Sequence, residues 1–157
     1  MGRAEVLAEE NQAWAGLIGA IAAVPAERRD AEGDVPDWFT HDVVWRTACW
    51  VRPGADAVEL IRQCPSEPAD EEATDAENAA ITEDGRKMSG NEVIGPLERN
   101  RASGRQSLEA FDGDVPESAL KFFSDHTTEH FREHELPIRA LAGISSTQQG
   151  EASRWNR

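Results

Sequence analysis

Three of the chain's four histidines, His126, His130 and His134, fall four residues apart within FFSDHTTEHFREHELPIRAL, residues 122–141. Projected at roughly 100° per residue, Leu120, Phe123, His130, Phe131, His134, Ile138 and Leu141 share one helical stripe. His130 and His134 sit mid-stripe, where a helix normally carries Leu or Ile, while Arg132, Glu133 and Glu135 face away. Two imidazoles one turn apart above one face can grip a divalent metal or hydrogen-bond to a neighbouring helix. His126 and His134 are about 12 Å apart along a helix axis, so the three cannot ligate one ion.

The elements that must position these side chains read as helices. Residues 3–24 carry Leu7, Trp14, Leu17, Ile18 and Ile21 at helical spacing, with Glu9, Glu10 and Gln12 assigned outward and Pro25 as the stop. The segment 25–37 is a polar loop broken by Gly and Pro. Thr40 is the expected N-cap of a second helix, with Asp42 in its first turn and a kink or interruption expected at Pro53-Gly54. Asp42, Arg46, Cys49 and Trp50 lie along its inward side, and Trp45 and Trp38 add apolar surface.

Residues 65–87 form an acidic connector, with a short helix expected near 75–83 that leans Ile81 and Asn78 on the rest. Ser89 and Glu92 have capping-box spacing at the start of a third long helix, which carries Val93, Ile94, Leu97, Leu108 and Phe111 inward. The turn FDGDVPES leads into the histidine-bearing helix, where a kink or early end is expected at Pro137. The tail from Gly143 is polar, is expected to be mobile, and has Trp155 as its one anchor. The sum is an all-α chain: a four-helix bundle over 1–142 with a tail over 143–157.

Composition narrows the partners. A formal charge of −14 on 157 residues argues against nucleic acid and anionic membrane surfaces. No apolar run reaches the roughly 20 residues of a membrane span. Two cysteines, Cys49 and Cys64, make no disulfide framework, and no signal peptide is evident, so a reduced cytoplasmic protein is expected. Arginine far outnumbers lysine, a bias associated with GC-rich bacterial genomes.

The segment DWFTHDVVWRTACW (37–50) resembles the second-helix motif of the DinB/YfiT-like superfamily, and TTEHFREHELPIRAL (127–141) resembles its fourth-helix motif. RAEVLAEENQAWAGLIGAIAAVP and NAAITEDGRKMSGNEVIGPLERNRAS are similar to the first helix and to the approach to the third. The groups most alike are the mycothiol-dependent maleylpyruvate isomerases and S-transferases, and the bundles that include the colibactin self-resistance protein. The resemblance implies a three-histidine metal site in which His130 and His134 match two ligands. The third falls on Arg46, whose guanidinium has no lone pair for a metal.

Three functions follow from this pattern. In the first, a metal-independent hydrolase or isomerase uses Arg46, His130 and His134 as catalytic residues. Trp45, Cys49, Trp50, Asn78 and His126 line an inter-helical pocket for a reactive or carboxylate-bearing metabolite. In the second, a divalent ion (zinc or nickel) on His130 and His134 takes Asp42 or Cys49 as third ligand and activates a thiol such as mycothiol. In the third, the chain holds a toxic metabolite without turnover, as a self-resistance protein does. No cofactor is fixed by the residues alone, and a homodimer is left open.

Overall fold

The structure, a computed structural model, describes residues 2–25, 29, 40–64 and 75–142. The interior of the first loop with Trp38, the first part of the acidic connector, and the tail with Trp155 lie outside the described residues, as does the Asn78 side chain. Every regular element described is helical: α1 (Arg3–Ala23), α2 (Thr40–Gln63), α3 (Asp75–Gly85), α4 (Ile94–Glu109), α5 (Glu117–Ser124), a π-helical turn (Asp125–Glu129) and α6 (His130–Leu141). None is long and apolar enough to cross a membrane among the described residues.

The inward stripe of α1 is Val6, Glu10, Ala13, Leu17, Ala20 and Ile21, so Glu10 is fully buried rather than on the outer face expected for it. Its partners explain the reversal. Arg101 Nε and Arg105 Nη1 of α4 each donate to its carboxylate at 2.5 Å, and the Arg101 guanidinium lies 4.6 Å over the Trp14 ring. A buried carboxylate is tolerable when paired and hydrogen-bonded in this way. Trp14 in turn packs on Phe131 of α6 with ring centroids 5.4 Å apart.

Helix α2 passes through Pro53 without a break, so of the kink or interruption expected there the interruption is absent. The turn around it is held by Val51, Ala55 and Val58, all buried, and that burial outweighs the ladder bond proline removes. The Thr40 hydroxyl is buried without a hydrogen-bond partner, so Thr40 does not cap the helix as expected. Helix α2 rests chiefly on α4, where Asn100 Nδ2 donates to the Ala48 carbonyl at 2.8 Å. A Cβ at Gly104 would lie 3.5 Å from Ala55 and 3.6 Å from Phe123, ordinary packing distances, so the position faces both helices without requiring glycine.

Helix α3 occupies the place expected for a short helix within the connector, with Ile81 half-buried. The Ser89 amide donates to Glu92 Oε2 at 2.7 Å, the reciprocal half of a capping box, and holds the Glu92 carboxyl below its usual range. Regular α-helix starts only at Ile94, which puts Pro96 in the first turn, where its missing N–H costs little.

Helix α5, the π turn and α6 run on with helical backbone angles at Ser124 (φ −63°, ψ −48°) and His130 (φ −64°, ψ −38°). The widening of the helix has a local cause. His126 Nδ1 donates to the Phe122 carbonyl at 3.0 Å and Thr127 Oγ1 to the Phe123 carbonyl at 2.5 Å. Two successive carbonyls thus gain side-chain donors from one turn ahead, competing with the ordinary ladder. The wider turn buries the adjacent residues Thr127 and Thr128 together. Past it, α6 continues through Pro137 to Leu141, without the early end expected at that proline.

Candidate functional site

Residues at every fourth position of α2 meet the histidines of the π turn and α6. A Cβ on Gly54 would overlap the His126 side chain, so only glycine lets the two helices approach at that level. One turn back, Trp50 meets His130 edge-on with ring centroids 5.4 Å apart. One turn further back, Arg46 is near enough to disfavour protonation of both His130 and His134. The imidazoles form a ladder, with centroids 6.2 Å apart from His126 to His130 and 6.0 Å from His130 to His134. Phe122 stacks on His126 at its end.

Because a carbonyl can only accept, the bond to Phe122 places the proton of His126 on Nδ1 and leaves Nε2 with the lone pair. His130 Nδ1 lies 3.7 Å from the exposed carboxylate of Glu133, while its Nε2 is buried without a partner. His134 is buried, and its Nδ1 is likewise unpartnered. Burial, and then the neighbouring His134, pull the His130 pKa down to about 4; Glu133 opposes this, while His126 and Arg46 add to it. His134 is also lowered, first by burial; Glu133 opposes this and Arg46 adds to it. Both rings are therefore neutral at pH 7, each with a nitrogen free to exchange a hydrogen bond or a proton.

Arg46 is half-buried, and among the described residues no carboxylate or carbonyl bonds its guanidinium. The other half-buried arginines described all have such partners: Arg3 and Arg29 on carbonyls, Arg101 and Arg105 on Glu10, Arg139 on Glu135. Unsatisfied polar groups concentrate at this end of the molecule. Among the described residues seven buried side-chain atoms lack a hydrogen-bond partner, and all belong to residues 40–45 or 128–134: Thr40, Asp42, Trp45, Thr128, His130 and His134. Elsewhere the buried Glu10, Thr47 and Thr127 are satisfied. Folded proteins leave few such groups, and a cluster of them calls for an explanation.

Of the site residues expected, the structure brings Arg46, Trp50, His126, His130 and His134 onto one seam. It does not bring Asp42, Trp45 or Cys49 there, because these form a second stripe of α2 that faces α3. Gly85 backs onto Asp42 and Trp45, and Asp84 acts on Cys49. Burial, then Asp84, push the Cys49 thiol upward, the opposite of an activated thiolate. Cys49 is only half-buried, Cys64 is exposed just past the end of α2, and both are free. Among the described residues no three His, Cys, Asp or Glu side chains are placed to hold a metal ion, so neither Asp42 nor Cys49 completes a set with His130 and His134.

Sequence reasoning missed Gly54, which sets the contact between the helices, and the π turn that aligns His126 with His130. Their one visible sign is the paired threonine between the first two histidines. No family model, curated protein or solved structure matches the chain.

Proposed function

We propose that the chain is a metal-independent small-molecule enzyme on a DinB/YfiT-like four-helix bundle, acting on a carboxylate-bearing or reactive metabolite between α2 and α6. One observation carries this reading: a half-buried guanidinium without an anionic partner stands beside two neutral imidazoles whose buried nitrogens are unpartnered. Such a cation in low-dielectric surroundings binds a carboxylate or stabilises a developing oxyanion. The neutral rings then accept or return a proton, His130 through Nε2 and His134 through Nδ1. Trp50 supplies an apolar wall. The order of the motif-bearing helices and the pairing of Arg46 with the two histidines support the resemblance, with arginine in place of the second-helix metal ligand.

Among the described residues a divalent ion would find only His130 and His134 here, and no step of the reaction is routed through one. The test is turnover of small carboxylates bearing an ester, epoxide or enol by EDTA-treated protein. Arg46→Ala is expected chiefly to raise KM. His130→Gln or His134→Gln should lower kcat about 100-fold, the usual scale for loss of a positioned acid or base. Turnover abolished by chelation and restored by zinc would establish the thiol-transferase alternative instead. Saturable tight binding of these compounds without turnover would establish the metabolite-holding one.

A further inference from the structure

Helix α3 packs on α2 and makes no comparable contact with any other helix described. It brings little apolar surface: Ala76, Ala79 and Ala80 are exposed, Ile81 is half-buried, and Gly85 is its one buried residue among those whose side chains are described. What it covers is polar. Asp42 and Trp45, three apart on α2, meet at Gly85, where a Cβ would lie 2.8 Å from Trp45 Cδ1 and 3.3 Å from Asp42 Oδ1. Both carboxylate oxygens of Asp42 and the indole nitrogen of Trp45 are buried there without a hydrogen bond. His41 Nε2 lies 3.3 Å from Asp42 Oδ1, an ion-pair contact without hydrogen-bond geometry. Cys49, one turn beyond Trp45 on the same stripe, feels the Asp84 carboxylate of α3.

We propose that α3 is a lid, held loosely shut over the Asp42–Trp45–Cys49 stripe and opening without unfolding the other helices. Closure removes a carboxylate and an indole N–H from water without replacing their hydrogen bonds, which penalises the closed state. Among the side chains described, the seat opposes that penalty with half-buried Ile81 and Thr82, the fit of Gly85 and the charge of Arg86 just past the helix end. Burial of Asp42 accordingly raises its carboxyl pKa, against the pull of His41 and Arg86. The lid does not rest on the chemistry proposed for His130 and His134, which lie on the other seam of α2.

Cys49, half-buried with α3 in place, gains exposure when α3 leaves, so its alkylation rate rises with the open population. In the full chain carrying Cys64→Ser, its alkylation rate with iodoacetamide tracks the open population, while hydrogen exchange in α4 tracks global unfolding. Gly85→Ala has no room against Trp45 and is expected to speed alkylation at least about fivefold. Asp42→Leu and Trp45→Phe each remove an unsatisfied polar group and should slow it, Asp42→Leu by about fivefold. Exchange in α4 stays unchanged in all three. An unchanged rate in Gly85→Ala, faster alkylation in both Asp42→Leu and Trp45→Phe, or alkylation that moves in step with α4 exchange would overturn the proposal.

Discussion

Two charged clusters bind the helices to one another, and they are built to opposite rules. Between α1 and α4, Glu10 is fully buried and both its oxygens accept from arginines, one of which also covers Trp14. Between α2 and α6, Arg46 has no anion among the described residues, and the imidazoles beside it keep buried nitrogens without partners. The first cluster is closed: every lone pair it hides is answered within the protein. The second is open: among the described residues its buried nitrogens are left without hydrogen-bond partners. A buried polar group left unanswered costs stability, so the first cluster holds the fold together while the second does so at a cost.

That contrast can be broken by mutation. Glu10→Ala should be the most damaging single change, because it removes the fully buried carboxylate that both half-buried arginines share. Loss of one partner of such a network costs about 3–5 kcal/mol, to be read from urea unfolding at pH 7. A loss under about 1 kcal/mol would mean that the cluster is not a structural clasp.

The next effect is on pH dependence. The folded-state pKa of His130 lies near 4, below the ordinary imidazole value, so the unfolded chain binds its proton first as pH falls. The group contributes nothing to stability above about pH 6.5, and its burial disfavours the fold progressively between pH 6.5 and 4. Discounted for its partial exposure, that loss is about 2 kcal/mol. Comparing wild type with His130→Leu across this range should show that part of the decline missing in the variant. Parallel curves would place His130 in water.

Smallest of all should be the cost of removing an open-cluster nitrogen at neutral pH. Replacing His134 by Leu deletes an unpartnered buried group while keeping the volume, so stability should change by less than about 1 kcal/mol in either direction. A loss near that of Glu10→Ala would make the open cluster a clasp after all.

The difference between the clusters also sets what could be read from sequence. The helical character, the buried stripe of Phe123, Phe131, His134, Ile138 and Leu141, the short α3 and the Ser89–Glu92 pairing were legible, because each rests on spacing within one segment. Glu10 was not, since a glutamate on a helix reads as outward until partners some 90 residues away are known. It does stand in register between Val6 and Ala13, and Arg101 and Arg105 are one turn apart; together these are the sign it left. Within the site, Arg46 with His130 and His134 was legible through the resemblance. The division of α2 into two stripes was not, because Asp42, Trp45, Arg46, Cys49 and Trp50 all lie on its broad inward side until α3 claims some of them. The π turn arises from side chains competing for backbone carbonyls, which hydrophobic period does not record.

The central claim is that the open cluster awaits an anion. It is tested most directly by following the ring nitrogens of His130 and His134 by NMR at pH 7 while acetate is added at constant ionic strength. Saturable shifts of both rings in the wild-type protein, lost in Arg46→Leu, are the predicted result. No shift in the wild-type protein, or the same shift with leucine at position 46, would contradict it.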